Sequence, residues 1–397
     1  MSNKVVVAGV AMTPFVKPSV SEPYDILGAR AAQAALLDAD IDYTAIQQVY
    51  AGYVYGDSCS GQRVIYNLGM SGVPVFNQNN NCATGSCALF LARQAIEAGI
   101  IDVALVIGFE QMRPGSLDAQ WGDRPDPLSN FVDLTREWQP QDQVPPAPHM
   151  FGGAGVEYAE KYGIPAEIFA HISVKARRHA KHNDKAIFRD EVSVAEVMES
   201  PHIYGVLTRL QCCPPTCGGA AAVLCSEAYA KKHGLDTSVS IRAQSMHTDF
   251  ASTFDDHSLM KIVGYDMTKA ASNEVYETAG IGADDVDVVE LHDCFTANEL
   301  ITYEGLGLTP EGTAEKFILD GDNTYGGKVV TNPSGGLLSK GHPLGATGVA
   351  QCVELTEQLR GRSGPRQVEG ARVAVQHNVG IGGACVVTMY EGTNNAA

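Results

Sequence analysis

Four short motifs hold the residues best able to do chemistry. The first is Asn79-Asn80-Asn81-Cys82-Ala83-Thr84-Gly85-Ser86, which reads as a strand-to-helix turn with one cysteine at the mouth of a small-residue helix. Unpaired backbone N–H groups and the helix dipole favour negative charge there, so the thiol is expected to have a lowered pKa and to serve as a nucleophile. The second is Leu291-His292-Asp293-Cys294-Phe295, directly after an apolar run at 286–290. A His and a Cys two residues apart at the C-terminal end of a strand can face one crevice, where α/β sites usually lie. The third is Gly341-His342-Pro343, a histidine held in a tight turn that opens a helix. The fourth is Gln376-His377-Asn378-Val379-Gly380-Ile381-Gly382-Gly383, whose glycines let backbone N–H groups approach a ligand oxygen. Together they supply a nucleophilic thiol, two imidazoles, a second thiol and a donor loop. Those are the parts of acyl transfer through a covalent thioester.

Nearly continuous apolar runs at 5–8, 103–108, 220–225, 286–291, 373–377 and 385–389 predict strands covered on both faces. Helical patterns at 24–37, 86–98, 267–279 and 345–359 alternate with them, which makes the fold class α/β. The turn and helix after Cys82 are echoed by Ser334-Gly335-Gly336 and the run Gly341 to Gly348, a weak internal repeat. Both helices are rich in Ala, Gly and Thr, so they are expected in a buried layer between two sheets. Residues 113 to 148 hold seven of the 19 prolines and both tryptophans, Trp121 and Trp138, and read as a long irregular segment. The expected organisation is an N-terminal half at 1–111, to which 214–262 returns, an inserted loop domain at 112–213 and a C-terminal half at 263–397.

The 397 residues carry a net charge of −18, which argues against nucleic-acid binding. No apolar run is long enough to span a membrane. The opening Met1-Ser2-Asn3-Lys4-Val5 lacks a signal-peptide pattern, and Asn394-Asn395-Ala396-Ala397 is no peroxisomal tripeptide, so a cytoplasmic location is expected. An anionic substrate would need a local basic patch, and the densest is Lys175-Ala176-Arg177-Arg178-His179-Ala180-Lys181. Lys175 and Arg178 are its candidate phosphate contacts, against the alternative of a solvated helix face. The ten cysteines show no disulfide framework. Cys212-Cys213-Pro214-Pro215-Thr216-Cys217 lacks a second pair to complete a zinc site, so no metal is expected.

In this order and spacing the four motifs resemble the thiolase superfamily, and within it the sterol-carrier-protein-type thiolases, where H-D-C-F stands in place of the N-E-A-F of ordinary thiolases. The likeness extends to Gly56-Asp57, Asp322-Asn323-Thr324-Tyr325-Gly326-Gly327-Lys328 and Asn332-Pro333-Ser334-Gly335-Gly336. It implies a thiolase fold, a duplicated five-layered αβαβα arrangement with an inserted loop domain, in a homodimer or tetramer. It further implies thiolytic cleavage of 3-ketoacyl-CoA and the reverse Claisen condensation, with CoA as substrate and no resident cofactor. By the resemblance Cys82 is acylated, His342 activates it, and Cys294 exchanges protons with the leaving carbon and the incoming CoA. His292 and His342 form one oxyanion hole, and the N–H groups of Cys82 and Gly380 form the other. His149, ahead of Met150-Phe151-Gly152, is a candidate for the acyl pocket or for local packing. Asn378 stands where ordinary thiolases carry a second catalytic cysteine, and Cys217 where relatives often have Asp. The separate sterol-carrier domain of the fusion proteins is missing from the sequence, so no lipid-carrier function is inferred from it. The rival readings are a thiolase-fold lyase acting with a partner subunit and an idle acyl-CoA or lipid-binding scaffold. The complete set Cys82, His292, Cys294 and His342 favours thiolytic cleavage over both rivals.

Overall fold

Strands that are apolar along their whole length need cover on both faces, and the order of elements along the chain provides it twice. The computed structural model describes residues 3–393 apart from Ala119 and Asp142. The reading of Met1-Ser2 as the start of a leaderless strand and of Asn394-Asn395-Ala396-Ala397 as no targeting signal lies outside the described residues. Ten strands form one sheet: β1 Val5–Met12, β2 Gln48–Gly52, β3 Val75–Gln78, β4 Val103–Glu110, β5 Gly218–Ser226, β6 Val239–His247, β7 Val288–Glu290, β8 Val330–Thr331, β9 Val373–Gly380 and β10 Ala384–Gly392. Their spatial order is β8-β7-β9-β10-β6-β1-β5-β4-β2-β3. The first five strands are ordered 3-2-4-5-1, and the last five repeat that order when counted from β6. Pairing directions repeat as well: β2 lies parallel to β3 and β4, as β7 does to β8 and β9, and the other pairs within each half are antiparallel.

The two layers expected as separate sheets are joined edge to edge; among the described residues the only other sheet is the two-stranded pair His202–Tyr204 with Leu207–Thr208. The join is short, Val5 opposite Ile241 and Val6 opposite Ser240, and it pairs β1 with β6 where each half would otherwise end in an open edge. Around this join the halves enclose two helices, α2 (Thr84–Glu97) and α8 (Leu344–Leu359), which pack on one another and on strands of both halves. The outer faces are covered by α1 (Tyr24–Asp38) on the N-terminal half and by α6 (Tyr265–Ala279) on the C-terminal half, with α7 (Thr296–Gly305) packed on α6. The layers run αβαβα. In α8 every residue except Glu357 is buried, so this helix shows no polar stripe. Leu355, Val349 and Cys352 are wholly enclosed, each large apolar side chain contributing about 1.5–3 kcal/mol. Small residues permit the close layer: a Cβ on Gly85 would come within 2.9 Å of the Gly345 carbonyl oxygen.

The segment at 113–148 is less irregular than its prolines suggest. It contains α3 (Ser129–Trp138), and α4 (Pro146–Tyr162) begins with a proline at its first turn, where the ring costs no hydrogen bond. Together with α5 (Glu167–Ala180), α4 packs its buried face, including Phe151, Tyr158 and Phe169, against α7 and the C-terminal half. The division at 263 is also corrected. Strand β6 pairs along its length with β10 and touches β1 only at its start, so the chain joins the C-terminal half from Val239 onward. Strands β2, β3, β6 and β8 were not anticipated; β2, β3 and β8 are short and mixed in polarity.

Candidate active site

The turn carrying Cys82 runs from the end of β3 into α2, and its own side chains hold it. The Thr84 hydroxyl accepts from the Asn80 N–H at 2.8 Å and donates to the Asn81 carbonyl at 2.6 Å. Asn81 sits at φ +50°, a left-handed conformation that asparagine tolerates, and its side-chain amide donates to the Ile381 carbonyl at 3.1 Å. The end of β9 thereby lies against the turn. A Cβ at Gly380 would stand 2.3 Å from the Asn80 carbonyl oxygen, so only glycine fits beside the cysteine.

Two imidazoles converge on this thiol. One ring nitrogen each of His292 and His342 lies within 4.8 Å of the Cys82 sulfur and of the other. The rings meet edge to face, with centroids 5.0 Å apart. His292 follows β7; its Nδ1 is 2.9 Å from Nδ2 of Asn378, and its carbonyl accepts from the side chain of Asn298. His342 precedes α8; its backbone N–H donates to the Thr216 hydroxyl at 2.6 Å, and its Nδ1 is 2.7 Å from the Thr347 hydroxyl. Its Nε2 is buried with no partner among the described residues. A Cys/His/His trio of this kind also has the donor chemistry for a soft divalent cation, which would occupy the nucleophile itself.

Asp293, between His292 and Cys294, is structural. Its carboxylate accepts from the N–H groups of Leu337 and Leu338 at 2.7 and 3.3 Å, and it lies so close to Gly336 that no side chain fits there. Cys294 lies opposite Cys213, whose N–H donates to its carbonyl at 2.9 Å next to the Cys212–Phe295 bridge. Cross-strand neighbours share one face, so a third thiol stands at the site. The Cys212-Cys213 cluster was read from sequence only as reduced cysteines without a metal.

The electrostatics correct the first expectation. Burial, followed by the Glu110 carboxylate, pushes the Cys82 thiol up to about 12, against the lowering effect of a backbone N–H. The helix terminus therefore does not yield a resting thiolate, because desolvation exceeds it. Burial also pushes His342 down to about 3. His292 is held well below its usual value by burial and then by His342 and His377. The Cys82 thiol and both imidazoles rest uncharged, so this sulfur could attack only as its proton is transferred. Burial keeps the Cys294 thiol protonated, reinforced by the nearby thiols of Cys213 and Cys82 and by Asp293.

Other expected contacts separate from this cluster. Lys175 is buried and ion-paired to Glu299, with further bonds to Tyr303 and Thr331, so it does not face a nucleotide phosphate. Arg178 on the same helix is exposed. His149 is 2% exposed; its Nε2 meets the Gln139 carbonyl at 2.8 Å and its ring meets Tyr204 edge-on, a local packing arrangement. Sequence reasoning missed Thr216, Thr347 and Glu110, each a common residue with no motif to announce it. Glu110, at the end of β4, accepts from the N–H groups of Val54, Tyr55 and Gly345 at 3.1, 3.0 and 2.9 Å, and burial raises its pKa to about 7.

Residues 5–228 match the family description "Thiolase, N-terminal domain", and residues 250–390 match "Thiolase C-terminal domain-like". The chain is 54% identical to Sterol carrier protein 2 of Homo sapiens across 98% of this chain and 72% of that protein. It is 31% identical to Acetyl-CoA acetyltransferase of Methanothermobacter thermautotrophicus, across 97% and 99% of the two chains. Among solved structures, the Ltp2-ChsH2(DUF35) aldolase superposes with a TM-score of 0.82 at 21% identity, covering 100% of this chain and 99% of that one. At that identity the likeness concerns the fold.

Proposed function

The chain belongs to the thiolase family, in its sterol-carrier-protein-type branch, and on that premise we propose that it cleaves a 3-ketoacyl-CoA with CoA, and runs the reverse Claisen condensation, through an acyl thioester on Cys82. The observation that carries this reading is the convergence of the Cys82 thiol with two uncharged imidazoles, one of which presents a buried, unpartnered nitrogen. In the proposed sequence His342 takes the Cys82 proton as sulfur attacks the 3-keto carbon. The tetrahedral oxyanion is held by the N–H groups of Cys82 and Gly380. The C2–C3 bond then breaks, and acetyl-CoA leaves as an enolate held by His292 and the protonated His342. Cys294 gives that carbon its proton, which suits a thiol kept protonated by burial. The Cys294 thiolate takes the proton of incoming CoA, whose sulfur displaces Cys82, and Cys82 recovers its proton from His342. Atoms balance with CoA as the sole co-reactant.

The four complete site residues separate this reading from an idle acyl-CoA or lipid-binding scaffold. The lyase reading rests on a likeness of fold alone. Arg178, exposed on α5, remains the candidate contact to the nucleotide. The strand β3 is a sheet edge among the described residues and carries Phe76, 46% exposed, which supports the homodimer in the same proposal. Among the described residues no helix is long and apolar enough to cross a membrane. The cytoplasmic location stays a reading of the sequence.

The test follows CoA-dependent loss of a medium-chain 3-ketoacyl-CoA before and after alkylation, with mass mapping of the modified cysteine. Turnover that disappears as Cys82 is modified is the expected result. An unreactive Cys82 with no turnover would overturn the reading. Cys294→Ala should still acquire an acyl group on Cys82 from an acyl-CoA while losing carbon–carbon cleavage.

A further inference from the structure

The two imidazoles beside Cys82 are anchored by networks of opposite polarity. The network behind His292 begins at the Gly348 carbonyl, which can only accept. Gln376 Nε2 donates to it at 2.7 Å, and the same nitrogen donates to the Ser86 hydroxyl at 2.7 Å. The other end of that amide, Gln376 Oε1, accepts from the Tyr390 hydroxyl at 2.6 Å, which fixes the amide a second time. Having accepted from Gln376, Ser86 donates its single proton to Asn378 Oδ1 at 2.9 Å. The Asn378 amide nitrogen is thereby turned toward His292 Nδ1, at 2.9 Å, and that ring nitrogen must accept. A neutral imidazole that accepts at Nδ1 carries its hydrogen on Nε2.

The network behind His342 runs the other way. The Thr347 hydroxyl donates its proton to the Pro343 carbonyl at 3.0 Å. Toward His342 Nδ1, at 2.7 Å, it has only a lone pair to offer, so Nδ1 carries the hydrogen. His342 Nε2 is then a bare lone pair, and it is the buried atom without a partner.

We infer that Asn378 and Thr347 are positioning residues that lock His292 and His342 in opposite tautomers, so that one ring is a donor and the other a base before substrate arrives. The consequence deepens the proposed function, on which it rests. In the resting site only His292 can donate to an enolate oxygen. When His342 takes the proton of Cys82 it acquires an Nε2–H, and the donor pair is complete. The hole for the leaving enolate is therefore assembled by the same proton transfer that creates the nucleophile. Thr347 holds this polarity for as long as its proton stays on the Pro343 carbonyl, which also accepts from the Ala346 and Thr347 N–H groups. Asn378 cannot swap while Ser86 faces its oxygen.

The test uses Asn378→Asp and Asn378→Ala in the full chain. As a carboxylate, aspartate keeps the shape and still accepts from Ser86, but it can only accept from His292, so in the neutral ring that burial favours the hydrogen moves to Nδ1. Alanine removes the bond and leaves both tautomers open. A merely space-filling residue would be harmed more by Ala than by Asp. The inference predicts the opposite order, with Asp costing on the order of 100-fold or more in cleavage kcat, as loss of one oxyanion donor does, and Ala costing less. Acylation of Cys82 from an acyl-CoA, which has no enolate to hold, should survive in both. A readout independent of turnover is the ¹⁵N shift pair of the His292 ring, assigned by its loss in His292→Gln. Wild type should show Nε2–H, and Asn378→Asp should show Nδ1–H. A wild-type His292 protonated on Nδ1 would overturn the inference even if thiolysis is observed. The expected tautomers in a chain that performs no thiolysis would leave the inference standing and remove the proposed function instead.

Discussion

The two halves of the sheet share strand order, strand direction and the placement of a buried helix, yet they use the turn leading into that helix differently. In the N-terminal half the turn is a run of asparagines around a partly exposed Cys82, and it is held mainly by its own side chains. In the C-terminal half the turn at His342 is 5% exposed and is gripped from outside by Thr216 and from below by Thr347. Duplication brings two helix N-termini side by side. The accessible one carries Cys82, which in the proposed reaction must meet substrate; the enclosed one carries His342, which in that proposal serves its neighbour. Glu110 clasps the two halves, since its carboxylate accepts from Val54 and Tyr55 on one side and from Gly345 at the start of α8 on the other.

The comparison breaks most visibly at the turns themselves. Cys82→Ala should reduce cleavage to below ~10⁻⁴ of the parent, and His342→Gln should cost ~10²–10⁴-fold, the usual weight of a general base. Steady-state kcat on a 3-ketoacyl-CoA reads both. A His342→Gln enzyme within threefold of the parent would mean that the enclosed turn is scaffolding.

A smaller effect tests the contact between the halves. A Cβ at Gly345 would stand 2.5 Å from the Phe109 carbonyl oxygen and 2.7 Å from that of Gly52, whereas at Gly85 the nearest atoms are at 2.9 Å. Overpacking of this kind costs about 1–3 kcal/mol. Gly345→Ala should lie at the upper end and Gly85→Ala at the lower, read as a drop in the thermal midpoint. The reverse order would place the tight contact in the wrong half.

An effect of similar size concerns the clasp and its pH dependence. The Glu110 pKa rises from 4.5 to about 7 on folding, chiefly by burial. Between those values the unfolded chain has released the proton and the folded one has kept it, so stability falls as pH rises through this window. The loss totals on the order of 3 kcal/mol above pH 7. Chemical denaturation at pH 5 and pH 8 should show this decline in the parent and a shallower one in Glu110→Gln. Identical slopes would remove Glu110 from the account.

What could be read without coordinates was what repeats or what is chemically rare. The long apolar strands and the two small-residue helices follow from periodicity, and Cys82, His292, Cys294 and His342 from motif. The missed features depend on the third dimension. The pairing of Val5 with Ile241 joins residues more than two hundred positions apart, and nothing local encodes it. The dipole argument for Cys82 was sound in direction, but burial proved the larger effect. Lys175 looked like part of a solvent-facing basic run until α7 supplied Glu299 as its partner. Asn378 was noticed as a departure, while its meaning required the positions of Ser86, Gln376 and Gly348.

The strand order also has a consequence for vectorial synthesis. Strand β5 lies between β1 and β4, so the N-terminal half of the sheet cannot close until residue 226 has been made, more than a hundred residues after β4. Strand β10 is the last to be made, yet it lies in the interior of its half, between β9 and β6. Until it emerges, both neighbours present open edges and apolar faces, the kind of surface that chaperones and proteases recognise. A nascent chain that stalls before β10 therefore carries Cys82, His292, Cys294 and His342 without the completed sheet that sets them against one another.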